Sequence, residues 1–137
     1  MIAYLDTSAA LRVLVVGPSP QAERLTRRTR RYLDQLVEQE HTIASSVLLR
    51  TEILCQANRQ PEIDVLSAEQ LLSLVNLMEL DVSDLDDAPR TPGRLRTLDA
   101  IHLTVALRVG ADLLIAYDEE LRRAGQSAGL RVGPESL

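Results

Sequence analysis

The stretch Ile2-Ala3-Tyr4-Leu5-Asp6-Thr7-Ser8-Ala9-Ala10-Leu11 decides the fold. Ile2 to Leu5 is an unbroken hydrophobic run with no polar alternation, which reads as a strand covered on both faces. Asp6 then stands where a helix N-cap stands, and Thr7 to Val16 continues with helical spacing. A strand covered on both sides that passes directly into a helix opens a parallel α/β unit.

The same alternation recurs outward from there. Gly17-Pro18-Ser19-Pro20 punctuates the chain, and residues 21–39 carry a helical face of Ala22, Leu25, Thr29, Tyr32, Leu33 and Leu36. Thr42 to Ala44 reads as a second strand, with Ser45 or Ser46 capping a helix to about Asn58. The capping-box spacing from Ser67 to Gln70 predicts a helix through Val75. Met78 to Val82 reads as a third strand, and Ser83 to Arg94, rich in Asp, Pro and Gly, as a loop. A strongly apolar helix follows from Leu98 to Val109, closed by Gly110. Leu113 to Tyr117 is a fourth strand, Glu119 to Ser127 a helix, and Leu130 to Val132 an edge strand. The expectation is an α/β fold: one domain over residues 1–137, with a parallel central sheet of four to five strands flanked by helices on both faces.

Composition narrows the function classes. With 45% hydrophobic and 26% charged residues in 137, the chain has the balance of a globular domain. No run approaches a membrane span, and the first residues lack the pattern of a secretory signal. The single cysteine, Cys55, fits a reducing cytoplasm and reads as a small buried hydrophobe. All 15 basic residues are Arg, and the net charge of −5 argues against a general nucleic-acid coat protein. An enzyme that handles nucleic acid through metal ions stays open, because its own carboxylates count toward that charge.

In open parallel sheets, function collects beyond the carboxyl ends of the strands. Asp6 closes the first strand and Asp118 the fourth. Asp99 lies in the first turn of the most apolar helix, and Glu52 lies inside the helix after the second strand. Any one Asp here, taken alone, reads first as an N-cap, but that reading fails for Glu52. Carboxylates gathered in a partly buried cleft repel one another and invite a divalent cation. An all-oxygen ligand set favours Mg²⁺ or Mn²⁺ over zinc, and such ions equip a site for phosphodiester hydrolysis.

These pieces together resemble the PIN-domain ribonucleases, specifically the VapC toxins of bacterial toxin–antitoxin pairs. The matching segments are Leu5-Asp6-Thr7-Ser8-Ala9, Ser45 to Leu54 around Glu52, Leu98-Asp99-Ala100-Ile101-His102-Leu103, Tyr117-Asp118-Glu119-Glu120-Leu121, and Gly129 to Val132 with Pro134. The resemblance implies a Mg²⁺- or Mn²⁺-dependent endoribonuclease that is dimeric and is held in check by a cognate antitoxin protein. It carries the catalytic acids onto Asp6, Glu52, Asp99 and Asp118. Asp6, Asp99 and Asp118 would be metal ligands, with Ser8 as a supporting hydroxyl. Relatives commonly have Thr or Ser where this chain has Ala116, which puts support of the metal there in question.

Other residues leave alternatives open. Arg24, Arg27, Arg28 and Arg31 form a stripe that suits RNA phosphates or an acidic partner, or is simply a solvated helix face. Arg30 and Asp34 have i,i+4 spacing for an ion pair. His102 reads as a hydrogen-bonded core residue or a proton shuttle, and His41 as a strand-edge residue. A non-catalytic PIN platform is one competing function. A phosphatase of another doubly wound family is a second, although Asp6-Thr7-Ser8 lacks the second Asp such enzymes place there.

Overall fold

The computed structural model describes residues 1–15 and 17–135. Five strands, β1 (Ile2–Leu5), β2 (Thr42–Ser46), β3 (Asn76–Met78), β4 (Leu113–Ile115) and β5 (Arg131–Gly133), form one sheet in the order β3-β2-β1-β4-β5. Every pairing is parallel. The strand order reverses direction at β1, so the crevice outside its carboxyl end, between β1 and β4, is the topological switch point.

The helices among the described residues are α1 (Thr7–Leu14), α2 (Pro20–Glu38), α3 (Val47–Arg59), α4 (Val65–Ser73), α5 (Val82–Asp87), α6 (Thr97–Arg108) and α7 (Glu119–Ser127). They cover both faces because side chains alternate along the strands. Ala3, Leu5, Leu113 and Ile115 face a core with α1 to α4, built on residues such as Val13, Leu33, Leu49 and Leu71. Tyr4, Leu114 and Ala116 face the other core, with Leu103 of α6 and Leu121 of α7. Each fully buried Leu or Ile contributes roughly 1.5–3 kcal/mol of transfer free energy. These two cores hold the strand ends in register.

Several boundaries differ from the sequence expectation. The first helix ends at Leu14, and Val16, expected within it, lies outside the described residues. The helix expected from Ser67 starts at Val65, because Asp64 caps it and Ser67 N–H donates to Asp64 Oδ2. The third strand ends at Met78, and the segment read as a loop contains α5 and a 3-10 turn at Ala88–Arg90. Asp81 and Asp84 form a reciprocal capping box there, and Arg108 of α6 binds the buried Asp84 through both carboxylate oxygens, at 2.8 and 2.9 Å. Local composition did not carry that tertiary pair. Cys55 is exposed rather than buried, since α3 turns Leu49 and Ile53 inward and a residue two positions further faces away. Arg30 donates to the Val13 carbonyl at 2.9 Å, and the expected pair with Asp34 is not among the ion pairs of the described residues.

Candidate active site

At the switch point, Asp6, Glu52, Asp99 and Asp118 line one cleft of about 340 Å³. Four separate local structures bring them there. Asp6 leaves β1 and caps α1, its Oδ2 accepting from Ser8 N–H at 3.1 Å and from the Ser8 hydroxyl at 2.7 Å. Asp118 leaves β4 and caps α7, its Oδ1 accepting from Leu121 N–H at 3.0 Å. Both are therefore N-caps and cleft residues at once. Asp99 is different: Arg96 holds the N-cap position of α6, and Asp99 lies inside the first turn. Glu52 projects from the middle of α3.

Ser8 joins the two central strand ends. Its Oγ donates to Asp6 and accepts from Tyr117 N–H at 3.1 Å, so one hydroxyl links the end of β1 to the end of β4. Ala116, where relatives commonly have a hydroxyl, is fully buried in the α6–α7 core. The carbonyls around it are held by Arg122, which donates to Ala116 O, Gly133 O and Pro134 O at 2.7, 3.2 and 2.7 Å.

The electrostatics of the cleft are strained. Asp6 is 2% exposed, and its Oδ1 is buried without a hydrogen-bond partner. A buried acceptor left unpaired costs ~1–3 kcal/mol, more if charged. Burial, reinforced by the charges of Asp6 and Asp118 and opposed by Arg96, pushes the Asp99 carboxyl up to about 6. The exposed Arg96 guanidinium reaches across the rim, 3.8 Å from Asp99 and 3.3 Å from Asp118.

Glu52 is held by a network of which sequence reasoning reached only His102, expected as a hydrogen-bonded core residue or a proton shuttle and found buried and hydrogen-bonded. Its Oε1 accepts from the Thr7 hydroxyl and from His102 Nε2, each at 2.7 Å. With Nε2–H donating, Nδ1 of His102 is left to accept from the Tyr4 hydroxyl at 2.8 Å. Tyr4 is fully buried, and burial pushes its phenol up to about 12, so it remains a donor. The helical i,i+3 spacing of Asp99 and His102 was the one sequence signal for this network. Tyr4 gave none.

An orphaned buried carboxyl oxygen, a carboxyl raised by burial and by its acidic neighbours, and an all-oxygen donor set fit a hard divalent cation. Among the described residues, however, no group of three or more His, Cys, Asp or Glu is gathered as a ready-made metal cage. The physical reason is visible in the bonds: Asp118 is partly turned to its helix and to Arg96, and Glu52 to Thr7 and His102. The donors share a cleft but are not closed around one point. The four Arg of the expected stripe lie on α2, outside this cleft, and His41 contacts the terminal amine of Met1 at 3.2 Å.

Comparison with known proteins gives four findings. A family model described as PIN domain matches residues 3–126. The chain is 36% identical over 132 residues to Ribonuclease VapC46 of Mycobacterium tuberculosis, covering 94% of each. Among solved structures, it is similar to a chain in VapBC2 from Rickettsia felis bound to a promoter DNA fragment, with TM-score 0.69, 14% identity and coverage of 97% and 98%. It is also similar to a chain in FitAcB from Neisseria gonorrhoeae, with TM-score 0.68, 16% identity and coverage of 98% and 97%. At those identities the structural likenesses speak for the fold.

Proposed function

The chain belongs to the PIN-domain family, and from that premise we propose that it is a divalent-metal-dependent endoribonuclease, the toxin of a toxin–antitoxin pair. The observation that carries the metal reading is the buried, unpartnered Oδ1 of Asp6 in the wall of an acidic cleft. Asp6, Asp99 and Asp118 would hold Mg²⁺ or Mn²⁺. Such an ion supplies Lewis-acid polarisation of the phosphoryl group and lowers the pKa of water.

The chain's own residues do the rest. Asp6 is fixed by Ser8, so its position is set before any ligand arrives. Glu52 is held through Oε1 by Thr7 and His102, which leaves Oε2 to take a proton from the attacking water. Arg96 at the rim offers a guanidinium to the incoming phosphodiester. The proposed partner is a cognate antitoxin, in keeping with the VapBC2 structure in which the Rickettsia felis neighbour was solved, and the protein would act as a homodimer. No helix of the described residues is long and apolar enough to cross a membrane, and the cytoplasm is the proposed compartment.

The test is cleavage of total RNA by purified protein with Mg²⁺, with Mn²⁺ and with excess chelator. Cleavage lost in chelator and restored by either ion is expected. Undiminished cleavage in chelator overturns the metal mechanism. Because the two cores are built without the ion, the fold should persist in chelator, and metal at ~100 times its Kd should add only ~2.7 kcal/mol.

A further inference from the structure

The chain is acidic overall, yet five of its fifteen Arg fall between Arg24 and Arg31 on α2. The structure sorts them. Arg24 and Arg28 line one surface cavity of about 430 Å³, and Arg28 and Arg31 line a second of about 610 Å³. The two share Arg28 and therefore adjoin along the helix. The larger cavity is also lined by Arg131 of β5, Gln35, Gln39 and Tyr32, and by the acidic Glu135. Arg27 lines neither cavity, and Arg30 is turned to Val13. The linings run from Gln21 to Gln39, about 27 Å at helical rise.

The helix that bears this basic groove is tied to the strand end from which Asp118 enters the acidic cleft. Thr29 of α2 shares a hydrogen bond with the Tyr117 hydroxyl, and Tyr117 immediately precedes Asp118. Arg12 of α1 lies over the same tyrosine ring, 5.8 Å from its centroid. At the other end, α2 is seated directly on β5: a Cβ at Gly133 would fall 2.1 Å from the Tyr32 hydroxyl. The groove thus runs from the carboxyl ends of the strands toward their amino ends, where Met1, Leu113 and Arg131 line it.

We propose that the groove between α2 and β5 is a phosphate-binding lane for single-stranded RNA, which carries the chain leading away from the acidic cleft. The proposal rests on the ribonuclease reading of that cleft. Guanidinium groups spaced along a helix suit successive backbone phosphates, while the Gln amides and a tyrosine face suit bases. The tie from α2 through Tyr117 to Asp118 favours RNA over an acidic protein segment, because a strand placed for cleavage must leave the cleft on some side. The lane lends affinity and strand direction, and the acids cut.

The test is anisotropy of fluorescent oligouridylates, short and long, binding the full chain in excess EDTA over a range of salt. The triple variant Arg24→Gln/Arg31→Gln/Arg131→Gln is compared with wild type, after circular dichroism establishes that it is folded. The longer oligomer should bind wild type more tightly, and the variant should lose that advantage. The slope of log affinity against log salt should flatten by about 2, since each phosphate contact on a single strand contributes ~0.7. An unchanged slope overturns the lane. So does oligoaspartate that displaces the RNA more effectively than unlabelled oligouridylate and loses its own binding in the variant. Metal-dependent cleavage of the short oligomer should survive in the variant. If cleavage occurs but the slope is unchanged, only the lane fails; if the slope flattens but no metal supports cleavage, only the ribonuclease reading fails.

Discussion

His102 Nε2 stands 2.7 Å from Oε1 of Glu52, with the imidazole sealed in the core and the carboxylate in the wall of the cleft. The contact ties α6 to α3 through the end of β1, since Tyr4 holds the far side of the ring and Thr7 the near side. A buried residue thereby fixes one that lines the cleft. Tyr4→Phe leaves the His102–Glu52 bond in place but removes the donor to a buried Nδ1. It should cost ~1–3 kcal/mol in urea unfolding and leave cleavage nearly intact. His102→Ala should cost at least as much and also lower kcat, because Glu52 loses its anchor. Equal stability of wild type and Tyr4→Phe would dissolve the network.

Asp99 ties stability to pH with a definite sign. Its carboxyl is raised to about 6 in the folded protein, against 3.8 when unfolded. Between those values the folded state binds more protons, so this group's contribution falls as pH rises through the window. Asn keeps the shape and removes the charge, and Asp99 is not the helix cap. Metal-free Asp99→Asn should therefore match wild type near pH 4 and exceed it by about 1–2 kcal/mol above pH 6, after allowance for the lost helix-dipole term. Metal-dependent cleavage should collapse. Thermal melts in chelator across this range check the sign, and a variant that melts lower at pH 7 contradicts it.

Arg96 is the cation that the cleft already holds. Its guanidinium lies within 4 Å of Asp99 and Asp118 while its side chain stays 83% exposed. Removing this positive charge beside the carboxylates should strengthen divalent-ion binding severalfold, and the gain should shrink as salt screens it. Calorimetric titration of Arg96→Gln with Mn²⁺ measures it. Weaker binding in the variant would mean that Arg96 orders the ligands rather than competing for them.

The legible parts of this molecule were those written locally. Uninterrupted hydrophobic runs announced parallel strands, and an Asp after such a run marked both the cap and the edge of the cleft, as Asp6 and Asp118 show. Glu52 and Asp99 stood out because an acid on an apolar helix needs a reason. What stayed hidden depends on residues far apart in the chain. Tyr4 meets His102 only because β1 runs beside α6, and the buried Arg122 is explained only by the three carbonyls that the ends of β4 and β5 present. Periodicity reports that a residue faces inward, not what it meets there.

Asp84 shows the same limit at the level of a whole element and sets the last prediction. Residues 82–90 have the composition of a loop, yet they are helical because Asp84 is 1% exposed and receives Arg108 on both oxygens. Its Oδ2 also accepts from Asp81 N–H at 2.9 Å, so one carboxylate caps α5 and clamps α5 to α6. The Arg108 hydrogen bonds hold the Asp84 carboxyl below its ordinary value, burial notwithstanding. A lowered carboxyl stabilises the fold fully above the unfolded value near 3.8, and that contribution is lost as pH falls through the folded one. Asp84→Asn should cost about 2–3 kcal/mol at pH 7, discounted because Arg108 is partly exposed and can be resolvated. Wild type should forfeit the same advantage in strong acid, so the two unfolding midpoints should converge there. Metal affinity should not change, since Asp84 lies outside the acidic cleft. A variant that loses metal binding while keeping its stability would place the role of α5 in the cleft instead of in the scaffold.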